Sequence, residues 1–252
     1  MPWAQLTDIS LTNGRSPDHS LDILAQCTSL VRAAVVIHGW SVLPRARAKM
    51  LTFTHLRALS ITFLGMGPHV MPFLRHVSAP ALDGLSLDFE IEDGLQWDDA
   101  SFTAFQLRAP NVTKLEITTG LACIPSNALR AALLHAPSLT HLSLDDCPNS
   151  IDDALIRALC YIEGVPPLVP HLHSLTLTNM SESRVSAEVL TSTIASRLWT
   201  DGELALRSVP PAVARWRKIE LEGAGEVFSR LGQNFQDAID GLQTGRVGEM
   251  EG

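Results

Sequence analysis

Histidines, paired acids, lone thiols and a lysine beside a glutamate are the side chains whose spacing could do chemistry here. His171 and His173 are separated by one residue, so an extended backbone turns both imidazoles to one face, the beginning of a zinc site. A third ligand is needed, and the alignment below sets His141 opposite Ser174, facing the other way, so no metal is expected. Cys160 beside Tyr161 has the form of a nucleophile, but its place next to Leu155 and Leu159 predicts a core thiol. Cys147 is expected to be a small packing residue in the turn after its strand. The pairs Asp145/Asp146 and Asp152/Asp153 could share acid and base work, yet a solvated strand end and helix capping account for them. The sequence holds no G-x-S-x-G, H-E-x-x-H, Walker loop or G-x-G-x-x-G. A non-enzyme without cofactors is therefore expected.

These residues are positioned by a cadence in which an apolar residue is followed three and then two positions later by another. It occurs at Leu6/Ile9/Leu11, Leu30/Ala33/Val35, Leu56/Leu59/Ile61, Leu82/Leu85/Leu87, Val112/Leu115/Ile117, Leu139/Leu142/Leu144, Leu172/Leu175/Leu177 and Trp216/Ile219/Leu221. Successive first positions are 24, 26, 26, 30, 27, 33 and 44 residues apart. Most of these fall in or beside the range of about 20 to 29 typical of leucine-rich repeats, with insertions in the last two. The cadence predicts an α/β leucine-rich-repeat solenoid, a ribonuclease-inhibitor-like horseshoe with parallel strands on the concave face and helices on the convex face. About eight irregular repeats are expected over residues 1–224, a capping helix over 225–242 and a flexible tail over 243–252. The capping stripe is Val227, Phe228, Leu231, Phe235, Ala238, Ile239 and Leu242.

Helices are expected between the cadences. Asp98 and Asp99 are placed to cap a run through Phe102, Phe105 and Leu107, and Ser126 heads Leu129, Ala132 and Leu133. Ser150 with Asp153 has the capping-box form before a stripe of Ile151, Leu155, Ile156, Leu159 and Ile162. Ser186 precedes Val189, Leu190, Ile194 and Leu198. Pro80, Pro110, Pro137 and Pro170 each stand two residues before a cadence and stop the preceding helix.

Strand alternation turns the residues beside each inward pair outward, and the central outward column reads Ser10, Ala34, Ser60, Ser86, Glu116, Ser143, Thr176, Glu220. Ser174 belongs to the same exposed row. Lys114 and Glu116 share this face with His141 and Ser143 of the next repeat, forming a polar recognition spot. The expected partner-binding residues on the concave face are Ser60, Ser86, Asp88, Lys114, Glu116, His141, Ser143, Asp145 and Thr176.

A formal net charge of -8 argues against nucleic acid, which requires a basic stripe. Cys27, Cys123, Cys147 and Cys160 lie far apart with no C-x-x-C, fitting reduced thiols and a cytoplasmic or nuclear setting. No apolar run approaches the roughly 18 residues of a membrane span.

Leu139-Thr140-His141-Leu142-Ser143-Leu144-Asp145-Asp146-Cys147 matches L-x-x-L-x-L-x-x-C and resembles the ribonuclease-inhibitor-like and cysteine-containing repeat classes. The strings Ala109-Pro110-Asn111-Val112-Thr113-Lys114-Leu115, Ala136-Pro137-Ser138-Leu139 and Pro170-His171-Leu172-His173-Ser174-Leu175 resemble the divergent repeats of fungal F-box/leucine-rich-repeat proteins. So does the opening Pro2-Trp3-Ala4-Gln5-Leu6-Thr7. That resemblance implies a protein-interaction module, the substrate-binding repeats of a ubiquitin ligase receptor whose F-box recruits the Skp adaptor and a cullin. No helical segment of F-box length precedes Leu6, so ligase coupling is expected only through an F-box outside this chain. The alternatives are a stand-alone leucine-rich scaffold and a GTPase regulator similar to Ran GTPase-activating proteins, although Gly248-Glu249-Met250-Glu251-Gly252 holds only two acids.

Overall fold

The computed structural model describes residues 3–44, 50–65, 69–90, 97–120, 124–147, 150–179, 185–206, 209–222, 231–238 and 240. Its strands are β1 (Asp8–Arg15), β2 (Arg32–His38), β3 (Leu51–Thr52), β4 (Ala58–Leu64), β5 (Val77–Ser78), β6 (Gly84–Glu90), β7 (Lys114–Thr118), β8 (His141–Asp145), β9 (Ser174–Thr178) and β10 (Lys218–Leu221). The helices are α1 (Pro17–Leu24), α2 (Pro72–Arg75), α3 (Asp99–Gln106), α4 (Ser126–Leu134), α5 (Asp153–Leu159), α6 (Ala187–Ala195) and α7 (Asp201–Leu206), preceded by a 3-10 turn at Trp3–Gln5. Eight strands form one sheet in the order β1-β2-β4-β6-β7-β8-β9-β10, all parallel, and β3 pairs with β5 alone.

The cadences stack residue on residue. Ile9 pairs with Ala33, and the row continues through Leu59, Leu85, Leu115, Leu142 and Leu175 to Ile219. A one-residue slip would turn every apolar pair to the other face, so burial of that face holds the register. Burial alternates strictly along β4 and β6, and the inward residues of the strands share one core with α1–α6. Neighbouring helices also pack on one another, α2 on α3, α3 on α4, α4 on α5 and α5 on α6.

A second ladder fixes where each strand begins. The carbonyls of Thr7, Val31, Arg57, Asp83, Thr113, Thr140 and His173 each accept two successive N–H groups from the following repeat. For Arg57 the donors are Asp83 and Gly84, both at 2.9 Å. Each of these residues immediately precedes a strand. The prolines supply turns on the way in: Leu82, Leu139 and Leu172 donate back to the residue before Pro80, Pro137 and Pro170 at 3.0, 3.1 and 3.1 Å. Proline's fixed φ suits the second position of such a turn.

Helix capping agrees with expectation at two places and differs at one. Asp98 accepts from the N–H of Ala100 and Ser101, and Ser186 from that of Val189. For α5 the cap is Asp152, which accepts from Leu155 N at 2.8 Å; Ser150 is buried, and no capping box forms. Two stripe residues lie beyond their helix ends and point outward, Leu107 after α3 and Ile162 after α5. Cys147 is fully buried as expected, whereas Cys160 sits at the carboxyl end of α5, half-buried rather than in the core.

Residues 231–238 are helical, Leu231 is half-buried and Phe235 packs against the core, while Ala238 is exposed. Gly232 allows the close approach, since a Cβ there would lie 3.2 Å from Leu221 Cβ. Val227, Phe228, Ile239 and Leu242 of the expected stripe, the tail over 243–252 and Cys123 lie outside the described residues. Among the described residues no helix is long and apolar enough to cross a membrane.

Candidate functional site

Parallel sheets are ordinarily covered on both faces. Here the outward side chains in the first two positions of the eight strands are mostly short or polar, and near β10 the helical residues Gly232, Gln233 and Gln236 share a cavity with outward Lys218 and Glu220. Register then decides what accumulates on that open face. Its first column runs Asp8, Arg32, Ala58, Gly84, Lys114, His141, Ser174, Lys218, and its second Ser10, Ala34, Ser60, Ser86, Glu116, Ser143, Thr176, Glu220.

Short side chains lie together in the middle of the first five strands, and long charged ones stand at both ends. The result is a groove of about 650 Å³ floored by Ala34, Ala58, Ser60, Gly84 and Ser86 and bounded by Asp8, Arg32, Lys114 and Glu116. That volume is in the range that encloses a compact ligand or a bulky side chain with its flanking backbone. Gly84 opens onto this space, because a Cβ there would meet nothing within 4 Å. Packing does not demand the glycine; its effect is to leave space.

The two charged ends differ. Arg32 Nε lies 2.5 Å from Asp8 Oδ1, and the Asp8 carboxyl is held below its ordinary range by the Thr7 hydroxyl first and then by Arg32. At the other end, no ion pair joins Lys114 to Glu116 among the described residues, although Lys218 and Glu220, in the same columns of β10, pair at 2.7 Å. Lys114 and Glu116 therefore present opposite charges that do not form an ion pair with each other.

Of the expected site residues, the groove gathers Ser60, Ser86, Lys114 and Glu116. His141 and Ser143 follow on β8, and Thr176 on β9 donates to Glu220 at 3.0 Å. Asp88 and Asp145 occupy a third column, separated by Thr118. Asp145 accepts from Thr178 and Asn179, and burial, with Glu90 and Asp145 adding to it, pushes the Asp88 carboxyl up. Among the described residues, no group of three or more histidines, cysteines and acids converges as a metal site.

Two placements depart from expectation. His141 does not face away from His173: their rings meet edge to face, centroids 4.9 Å apart. His173 precedes β9, where the pleat has not yet begun, so strand alternation does not govern it. Ser174 is buried, enclosed between its register partners His141 and Lys218.

Asp8, Arg32, Ala34, Ala58 and Gly84 were not among the expected binding residues. Their signal is visible once the cadences are superposed, as a run of the smallest residues at matching positions between charged ones. No family model matches the chain, and no curated protein matches it.

Proposed function

We propose that this chain is a non-catalytic protein-interaction module, a ribonuclease-inhibitor-like leucine-rich-repeat solenoid that holds a segment of a protein partner on its open sheet face. The observation that carries this reading is the small-floored groove with Lys114 and Glu116, not ion-paired to each other, at one end. A large side chain from the partner fills the space over Gly84, and Lys114 and Glu116 read the polar groups beside it. Interfaces concentrate their energy in such anchor pockets, with charges at the rim setting specificity. The matched cadences, the all-parallel register and the helix layer support the solenoid assignment. In its F-box-type form the module is the substrate-binding region of a ubiquitin ligase receptor, and an F-box outside this chain provides the Skp adaptor and cullin.

The test is affinity purification of the tagged chain from its native lysate in parallel with Gly84→Trp, with mass spectrometry of both. The tryptophan fills the groove without touching the core. A partner retained by the native chain and lost by a Gly84→Trp form of equal melting temperature is the expected result; identical retention by both overturns the groove assignment. Skp adaptor and cullin retained when the tag is placed on the chain within its native gene, together with whatever that gene encodes beside it, support the ligase form, and their absence from that purification leaves a stand-alone scaffold.

A further inference from the structure

The helix layer carries a second surface built for contact. In α4, Ala128, Leu129, Ala132 and Leu133 are buried in the core. A neighbouring stripe at the same helical spacing ends in Leu134, which is 67% exposed. Across from it, the chain leaving α5 presents Ile162 and Val165, 56% and 53% exposed. All three line one cavity of about 530 Å³, together with Pro166 and Pro167. Scattered exposed apolar residues are ordinary, but large ones converging on a concavity mark interaction sites. The two prolines fix φ and remove backbone donors, so this wall is apolar and already set in shape.

The rim is basic. Arg130 and Arg157 line the same cavity. Arg130 enters no ion pair among the described residues, and Arg157 stays 65% exposed beside Asp153 at 3.4 Å. Asp153 also accepts from the backbone and hydroxyl of Ser186, which shares out its charge. Glu163 is on the same loop but does not line the cavity. On a chain of formal net charge -8, a basic-rimmed apolar groove is a local exception.

We infer that this cavity between α4 and the chain after α5 docks a short acidic amphipathic segment of a partner protein. Its bulky apolar side chains enter between Leu134 and Val165, and its carboxylates meet Arg130 and Arg157. Charge complementarity selects the occupant: a basic segment is repelled by the rim, and a purely apolar one leaves Arg130 without an ion-pair partner and Arg157 with only Asp153, whose charge is shared with Ser186. The site shares no residue with the sheet-face groove and does not rest on the reading given for it.

The experiment is selection of a random peptide library, displayed on phage and long enough for several helical turns, against the full chain with counter-selection on Leu134→Asp. The exposed position makes that variant fold-neutral, which a thermal melt checks. The expected peptides carry aromatic or leucine side chains beside Asp or Glu. Their synthetic forms bind about tenfold more weakly to Arg130→Glu and weaken with added salt, while Gly84→Trp leaves them unaffected. Basic or uncharged winners, winners indifferent to Leu134→Asp and Arg130→Glu, or no enrichment at all each overturn the inference. Concentration-dependent self-association abolished by Leu134→Asp also overturns it, in favour of a second copy of this chain.

Discussion

The imidazole of His141 packs edge to face on that of His173, and the contact places two titratable rings at the start of adjacent parallel strands. Both are held below the ordinary histidine value of 6.5, by burial first. Lys114 and Lys218 add to this for His141 against an opposing Asp83, and His141 and Arg217 add to it for His173.

Linkage fixes the direction of the resulting pH dependence. A histidine whose folded value is lowered binds fewer protons folded than unfolded, so its neutral form stabilises the fold above 6.5. That contribution is lost as pH falls below 6.5 and levels off beneath the lowered folded value. The urea midpoint of the native chain, measured between about pH 8 and about pH 5, is expected to fall more than that of a His141→Gln/His173→Gln double variant. Parallel curves for the two proteins would remove the pair as the cause.

The α5 cap gives a paired prediction. Asp152 accepts from Leu155 N and also from the Ser126 hydroxyl at 2.6 Å, which ties the starts of α4 and α5 together. Asp152→Ala is expected to cost about 1 to 2 kcal/mol in a denaturant titration. The Ser150 hydroxyl is buried with no hydrogen-bond partner among the described residues, so Ser150→Ala is expected to be neutral or slightly stabilising. The reverse order would restore the capping box predicted from the sequence.

Leu142 is 2% exposed in the centre of the stacked row, between Leu115 and Leu175. Leu142→Ala is expected to cost about 2 to 5 kcal/mol, because flanking strands held by their own ladders cannot close the cavity. An unchanged melting curve would mean that the row does not carry the core.

Reversing Glu116 tests the open face without touching the core. Glu116→Lys is expected to leave the melt within about 0.5 kcal/mol of native while weakening the partner captured through the Gly84 groove. Equal binding by both forms would move the polar end of the site away from β7.

What the sequence made legible was whatever repeats. The register from Ile9 to Ile219 follows from superposing eight cadences, and Asp98 and Ser186 cap because each sits before an apolar stripe. Local ends were less legible. Ser150 and Asp152 both precede α5 and both belong to capping types, and the choice between them depends on where the chain leaves the sheet. Leu107 and Ile162 continue an apolar spacing beyond helices that have already ended, and an apolar pattern does not register the stop. The His141–His173 contact lay out of reach because His173 stands just before β9, where period-two alternation does not yet hold. For the groove, outward positions were readable one at a time; emptiness above Gly84 is a property of five strands together.

The carbonyls that each take two N–H groups from the next repeat act as fixed rungs, and the chain between rungs is free in length. Cadences 24 and 44 residues apart both arrive at in-register parallel pairing of their inward positions, Ile9 with Ala33 and Leu11 with Val35, Leu175 with Ile219 and Leu177 with Leu221. Added residues are thus absorbed in the helix layer, and the outward columns keep the spacing set by hydrogen-bond geometry. One side of the molecule can be lengthened, shortened or re-sculpted while the other keeps its dimensions, so the two surfaces are free to diverge separately.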